Sequence, residues 1–489
     1  MSAHELPLII QGGMGVGISH WGLARAVALR GQLGVISGTA LDNVFVRRLQ
    51  DGDIGGHVRR AMANFPIPGC AEMLLRSYFR PEGRNGEPYK PVPMYRQAAS
   101  KAKQQLTMMA AFVEVWLARE GHDNPVGMNL LTKVQMPNLP TLYGAMLAGV
   151  GFVLMGAGIP KEIPGVLDAF ANHEPARIRF DVDGLQRDDA EYLSFNPLDY
   201  WESAPAPLER PRFLPIVSTD SLATMLARKS NGRVDGFIIE GPTAGGHNAP
   251  PRGQPTFNER GEPIYGPRDE ADHAKLRDLG LPFWLAGGAG SPEGLQHALA
   301  VGAAGIQVGT IFAYSSDSGM AEPFRKAIVR RSKYAPVDVY TDALASPTGF
   351  PFKVVDLEGS MAQADVYAAR TRTCDLGYLR TAFKREDGRI DYRCPAEPID
   401  TFLKKGGALE ETVGRKCLCN ALMADIGLGQ VRDNGDVERP LITSGDELRS
   451  LGVMLAGRDD YSAADVLEYL LAGVTAVARA GAGARATAG

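Results

Sequence analysis

Short runs of apolar residues recur along the first two thirds of the chain, and most of them end in glycine, serine or threonine. The runs lack the alternation of apolar and polar positions that marks a half-exposed sheet, so they are typical of parallel strands buried on both faces. The predicted strands are residues 8–13, 33–38, 126–131, 152–156, 213–218, 236–241, 283–288 and 305–310.

Helical patterns follow several of these strands, at residues 21–30, 139–148, 221–230 and 292–301. A repeating order of strand and helix predicts an α/β fold with a parallel sheet, and eight repeats predict a TIM (β/α)8 barrel. A doubly wound dinucleotide-binding fold is disfavoured, because no predicted strand leads into G-x-G-x-x-G at the start of a helix.

Several segments exceed the needs of a plain barrel. We assign the barrel to residues 1–355, with an insertion at about 39–125 that contains a long helix at 99–119. A Pro- and Gly-rich loop at about 248–268 is a candidate lid. Residues 356–479 are predicted to form an additional, mainly helical C-terminal module, and residues 480–489 a disordered tail.

Charge and apolar content exclude some partners. The chain has 52 basic and 56 acidic residues among 489, and this balance provides no field suited to a nucleic acid. The apolar segment at 143–160 is interrupted by glycines, so we interpret it as a helix end and a buried strand rather than a membrane span. Without a basic leader or a long apolar signal segment, the expected location is cytoplasmic.

The most informative stretch is GFIIEGPTAGGH at residues 236–247. An apolar strand leads into a glycine-rich corner, where Gly245 and Gly246 allow close backbone approach to a ligand. His247 follows at the strand end that carries the chemistry in parallel barrels, and its imidazole titrates near neutral pH. We therefore predict a catalytic role for His247, the alternative being a histidine that only caps a turn.

Two late strand ends predict a phosphate site. LAGGAGSPEG follows the seventh strand and IQVGT ends the eighth. In many barrels the loops after these strands present backbone N–H groups to a phosphate dianion. The glycine run GGMGVG at residues 12–17 is compatible with either a tight turn or a further ligand contact.

These motifs together resemble a known family. PLIIQGGMG at 7–15, GMNLL at 127–131, AGGH at 244–247, AGGAG at 286–290 and GIQVGTIFAYSSDSG at 305–319 are similar to motifs of the FMN-dependent nitronate monooxygenases, formerly called 2-nitropropane dioxygenases. The flavin-dependent enoyl-acyl-carrier-protein reductases are related to them. The resemblance covers roughly residues 5–355.

The resemblance implies FMN as cofactor and a site built from named residues. His247 matches the family histidine to which catalytic work near the flavin is assigned. The implied cofactor contacts are Gly12, Gly13, Met14, Asn129, Ser218, Glu240, Gly245, Gly246, Gly287, Gly288, Gly309 and Thr310.

The implied function is that of a flavoprotein monooxygenase that oxidises alkyl nitronates with O2. The chain departs from the usual pattern, because Pro242 and Thr243 precede AGGH and NAPP follows it. Its inserts and C-terminal module are closer to extended relatives associated with polyketide and polyunsaturated fatty acid synthesis. An NAD(P)H-dependent enoyl-thioester reductase is therefore the alternative, and a homo-oligomer is compatible with either function.

Classes outside flavin redox chemistry have weaker support. A phosphate-substrate isomerase or aldolase would use a strand-end lysine, and only Lys133 and Lys161 closely follow predicted strands, neither of them in a strong motif. A non-enzymatic flavoprotein or assembly subunit stays open as well. His20 follows the first glycine loop and is a further candidate for flavin contact.

The sequence leaves open whether four late cysteines bind a metal. Four thiols suit a tetrahedral zinc site, but the spacing lacks paired C-x-x-C knuckles, and buried free cysteines are common. The cysteines are Cys374, Cys394, Cys417 and Cys419.

Overall fold

Eight parallel strands close into a barrel in a computed structural model that describes residues 6–186, 188–203, 205–472 and 474. Neighbouring strands pair in parallel all the way around, and the eighth strand pairs with the first to close the barrel. The predicted TIM barrel is confirmed, since every predicted apolar run overlaps one barrel strand. The strands are β1 (Ile9–Gln11), β2 (Leu33–Ser37), β3 (Val126–Leu131), β4 (Phe152–Gly156), β5 (Arg212–Val217), β6 (Phe237–Glu240), β7 (Phe283–Ala286) and β8 (Gly305–Val308).

Alternate strand residues fill the inside of the barrel. On β2, Leu33 and Val35 belong to this inner cluster, and on β4, Phe152 and Leu154 do. Strand residues that point the other way, such as Ile36 and Val153, belong to a second cluster shared with the surrounding helices. Both faces of each strand are thus buried, which explains why the runs read as continuously apolar.

Helices surround the barrel, and the predicted ones are present with ends shifted by at most two residues. The α-helices are Trp21–Ala28, Leu41–Gln50, His57–Met62, Cys70–Tyr78, Lys101–Arg119, Asn138–Leu147, Ile163–Ala171, Asp220–Lys229, His273–Asp278, Pro292–Ala300, Thr310–Ala313, Glu322–Tyr334, Ala364–Ala369, Ile399–Lys404, Leu418–Asp425 and Leu451–Leu455. Residues 463–472 are also helical.

The insertion after β2 packs its long helix against the barrel. Lys101–Arg119 begins at Ser100, whose hydroxyl accepts a hydrogen bond from the N–H of Lys103. It lies against Asn138–Leu147 so closely that a Cβ added at Gly144 would be 2.2 Å from the carbonyl oxygen of Met108. Glycine at this position therefore permits the helix contact.

Strands outside the barrel form three small sheets. Ala176–Phe180 pairs antiparallel with Glu191–Phe195, and Val339–Asp342 pairs antiparallel with Phe352–Val355. The part of the chain after residue 355 is called the C-terminal addition below. Its hairpin of Thr381–Lys384 and Ile390–Arg393 also pairs with Val182–Asp183 of the barrel region.

The C-terminal addition shares its core with the barrel. Ile442, Leu448 and Leu455 belong to the same buried cluster as the outward-facing strand residues, and the N–H of Val355 donates to the carbonyl of Ile442 at 2.9 Å. The predicted tail at 480–489 lies outside the described residues. Among the helices that the structure describes, none is long and apolar enough to cross a membrane.

Candidate active site

A cavity of about 230 Å³ opens at the carboxyl ends of the barrel strands. His247 lines it, together with every cofactor contact implied by the motifs except Ser218. The loops after β1, β3, β6, β7 and β8 are thereby brought together. The lining residues among the predicted contacts are Gly12, Gly13, Met14, Asn129, Glu240, Gly245, Gly246, Gly287, Gly288, Gly309 and Thr310.

Ser218 lies instead at a second cavity of about 290 Å³. Because β5 ends at Val217, Ser218 belongs to the turn that leads into the helix Asp220–Lys229 and misses the first cavity. The two cavities share Glu240 and His247 in their walls. The second cavity is also lined by residues from the loop predicted as a lid and from the turn after it, namely Asn248, Ala249, Pro250, Arg252, Tyr265 and Asp269.

The loop after β7, where the sequence predicts a phosphate site, turns at two consecutive glycines. Gly287 and Gly288 have φ values of 80° and 74°, a left-handed conformation that side chains rarely adopt. A Cβ at Gly287 would also lie 2.9 Å from the carbonyl oxygen of Gly241. Glycine at 287 is required by both the backbone conformation and the space.

The C-terminal addition forms part of the cavity wall at the carboxyl ends of the barrel strands. No motif in the sequence predicted this contribution. The N–H of Gly246 donates to Thr443 Oγ1 at 2.9 Å, and the N–H of Gly445 donates to Thr310 Oγ1 at 3.0 Å. After β7, the N–H of Gly290 donates to Glu447 Oε1 at 2.6 Å. Residues 443–447 thus connect the loops after β6, β7 and β8.

Two buried oxygens in the cavity wall have no hydrogen-bond partner among the described residues. They are Asn129 Oδ1 and Gln307 Oε1. An unpaired buried polar atom is costly, so such atoms indicate a ligand that carries complementary groups. A flavin carries ring N–H and hydroxyl groups that these oxygens can accept from, so the residues present fit a flavin.

His247 is positioned by contacts on two sides. Its Nε2 lies 2.6 Å from Ser346 Oγ, and its ring packs edge-on against Phe352 at a centroid distance of 4.9 Å. Burial lowers the pKa of His247 to about 4, because the charged ring loses hydration. The imidazole is therefore neutral at physiological pH.

Glu240 ends β6 between the two cavities. Burial raises the pKa of this carboxyl to about 7, since no cation near it compensates for the lost hydration. A carboxyl in this state holds its proton up to near-neutral pH and donates a hydrogen bond. Its place in both walls suits contact with a cofactor or with a substrate.

His20 has a structural role. Its Nδ1 accepts a hydrogen bond from the N–H of Gly22 at 2.6 Å and so caps the helix Trp21–Ala28. It does not line the cavity, and the flavin contact considered for it is not supported.

The four late cysteines meet around a small cavity of about 10 Å³ next to the helix Leu418–Asp425. All are free thiols, and burial raises the pKa of each, to about 12 for Cys374. No group of three or more potential ligands is arranged to hold a metal ion within the described part of the chain.

The family model of nitronate monooxygenase matches residues 182–342, which include β5 to β8 and His247. The family resemblance is confirmed over this stretch. A flavin-dependent oxidoreductase is the class of enzyme that this match supports. A comparison with curated proteins finds no match.

Three solved structures are weakly similar to this chain. FabK from Thermotoga maritima is 19% identical, with a TM-score of 0.46, and the match covers 98% of this chain and 95% of that one. The nitroalkane oxidase from Streptomyces ansochromogenes is 16% identical, with a TM-score of 0.45, and the match covers 97% of each chain. The enoyl reductase domain of MlnA from the macrolactin biosynthesis cluster of Bacillus amyloliquefaciens is 13% identical, with a TM-score of 0.45 and coverage of 97% and 96%.

Proposed function

We propose that the protein is an FMN-dependent nitronate monooxygenase that oxidises alkyl nitronates with O2. The observation that carries this proposal is the neutral, partly buried His247, which lies in the wall shared by the two cavities. The first cavity then holds the flavin and the second holds the substrate, and His247 reaches both.

Four residues at one end of the first cavity favour FMN over a flavin without a phosphate. Gly287, Gly288, Gly309 and Thr310 lie there together, at the loops that bind phosphate in many barrels. When bound, the flavin supplies the redox chemistry with O2, and the protein supplies orientation and electrostatics.

His247 has two uses for a neutral imidazole. It takes the acidic carbon-bound proton of a nitroalkane, or it holds a nitronate that arrives already deprotonated. An anion bound beside the ring favours the charged imidazolium and so raises the pKa of His247 above its low value in the free site. The anionic nitronate is therefore the better matched substrate.

An enoyl-thioester reductase is the second candidate, and the second cavity favours it. Its walls include the apolar side chains of Ile159, Val217, Leu222, Leu226 and Phe350, which suit an alkyl chain. Under this alternative the same flavin would be reduced by NAD(P)H rather than by the nitronate.

Two measurements separate these functions. The absorbance spectrum of desalted protein tests for a retained flavin, and a colourless protein that does not take up added FMN would refute both. Oxygen uptake with an alkyl nitronate is then compared with NADPH loss on an enoyl thioester. Turnover only in the second assay would replace the monooxygenase by the reductase.

A further inference from the structure

A loop between two strands places one hydroxyl group beside His247 and a second hydroxyl group next to the first. Ser346 lies between Val339–Asp342 and Phe352–Val355, and its side chain is fully buried. Its Oγ is 2.6 Å from His247 Nε2 and 2.8 Å from Thr348 Oγ1. The N–H of Thr348 also donates to Ser346 Oγ at 3.2 Å.

Two residues of the C-terminal addition form hydrogen bonds with the loop that contains Ser346. Arg415 donates from Nη1 to the carbonyl oxygens of Ser346 at 2.6 Å and Leu344 at 2.9 Å. The N–H of Lys416 donates to the carbonyl of Ala345 at 2.8 Å. These bonds restrict the backbone at Ser346 and at the two residues before it, so they fix the position of the Ser346 hydroxyl beside the imidazole.

The Ser346 hydroxyl is therefore placed to decide which ring nitrogen of His247 carries the proton. A neutral imidazole carries one N–H, and the partner of one ring nitrogen decides which nitrogen has it. His247 Nδ1 has no hydrogen-bond partner among the described residues, so Ser346 is the polar group that acts on the ring. Phe352 blocks rotation by packing against the ring.

We propose that Ser346, supported by Thr348, is a positioning residue that orients His247 and holds it in one tautomer for the reaction. This inference rests on the proposed function, in which His247 acts on the substrate. It assigns a role in the site to a residue almost one hundred positions away in the sequence, on a loop tied to the C-terminal addition.

The first test measures activity in a double-mutant cycle. Ser346→Ala should lower kcat with a nitroalkane about 10-fold with little change in KM, as expected for the loss of one hydrogen bond to the acting group. In a His247→Ala background the same substitution should have no further effect, because its target is gone. Equal losses in both backgrounds would overturn the proposal.

Controls separate positioning from folding. Ser360→Ala removes another fully buried serine hydroxyl and should leave kcat unchanged. If Ser346→Ala does not fold, Thr348→Val provides the second variant, with a smaller loss of kcat expected. Ser346→Thr keeps the hydroxyl and should restore most of the activity.

The second test does not depend on turnover. The chain has 8 histidines, so 15N-histidine spectra can be assigned by comparison with His247→Ala. The holoprotein should show one neutral tautomer for His247, and Ser346→Ala should show a mixture. A single unchanged tautomer in Ser346→Ala would overturn the proposal, whereas full activity of His247→Ala would instead refute the proposed role of the histidine.

Discussion

Replacing Gly288 by aspartate provides a direct test of the proposed phosphate site at the loop after β7. Gly288 lines the cavity, and a Cβ added there would meet only Thr243, with Oγ1 at 3.1 Å and Cβ at 3.9 Å. A side chain therefore fits at the cost of the left-handed backbone conformation, about 1 kcal/mol. The carboxylate of Gly288→Asp would lie against the phosphate of FMN.

The expected magnitude follows from Coulomb's law. At a separation of about 5 Å and an effective dielectric constant of about 20, one carboxylate opposes a phosphate dianion by about 7 kcal/mol. Salt and partial protonation reduce this repulsion. We expect a net loss of about 3 kcal/mol or more, which corresponds to roughly a 100-fold increase in the Kd for FMN.

The assay is a fluorescence titration of apoprotein with FMN at fixed ionic strength. Gly288→Asn is the matched control, because asparagine has nearly the same shape, carries no charge and tolerates the left-handed region. Riboflavin, which lacks the phosphate, should bind the two variants equally. If Gly288→Asp and Gly288→Asn bind FMN with the same Kd, the phosphate does not lie at this loop.

Three further predictions concern catalysis, pH and packing. His247→Ala should retain FMN and lose about 10²–10⁴-fold in turnover, more with a neutral nitroalkane than with its nitronate, and wild-type oxygen uptake on both substrates would make the histidine structural. Because the pKa of Glu240 is raised, the free energy of unfolding is highest below pH 4.5 and falls by up to about 3 kcal/mol as pH rises through about 7. Glu240→Gln should therefore flatten the pH dependence of the free energy of urea unfolding between pH 5 and 8. The same pH dependence in the variant and the wild type would contradict this. Gly144→Ala should lower the free energy of unfolding by about 2 kcal/mol or more through its clash with Met108, while Gly266→Ala, with no atom within 4 Å, should change it by less than about 1 kcal/mol.

Local sequence was sufficient for the barrel and for much of the cavity wall. Strands buried on both faces must be apolar throughout, and this constraint made all eight visible as short runs. Glycines at tight strand ends, such as Gly287, mark positions where a side chain would not fit the backbone. Because all strand ends of a parallel barrel meet on one side, His247 could be placed beside these glycines without knowledge of any contact.

Other parts of the site were decided only by tertiary packing. Ser346 lies beside His247 because a strand pair and Arg415 hold its loop there, and nothing in the pattern around residue 346 indicates this. Residues 443–447 reach the barrel mouth from the C-terminal addition, which sequence treated as a separate module. Ser218 misses the first cavity because its strand ends one residue earlier. Periodicity and turn chemistry report each segment's own conformation, whereas contacts between distant segments depend on how their buried surfaces fit together.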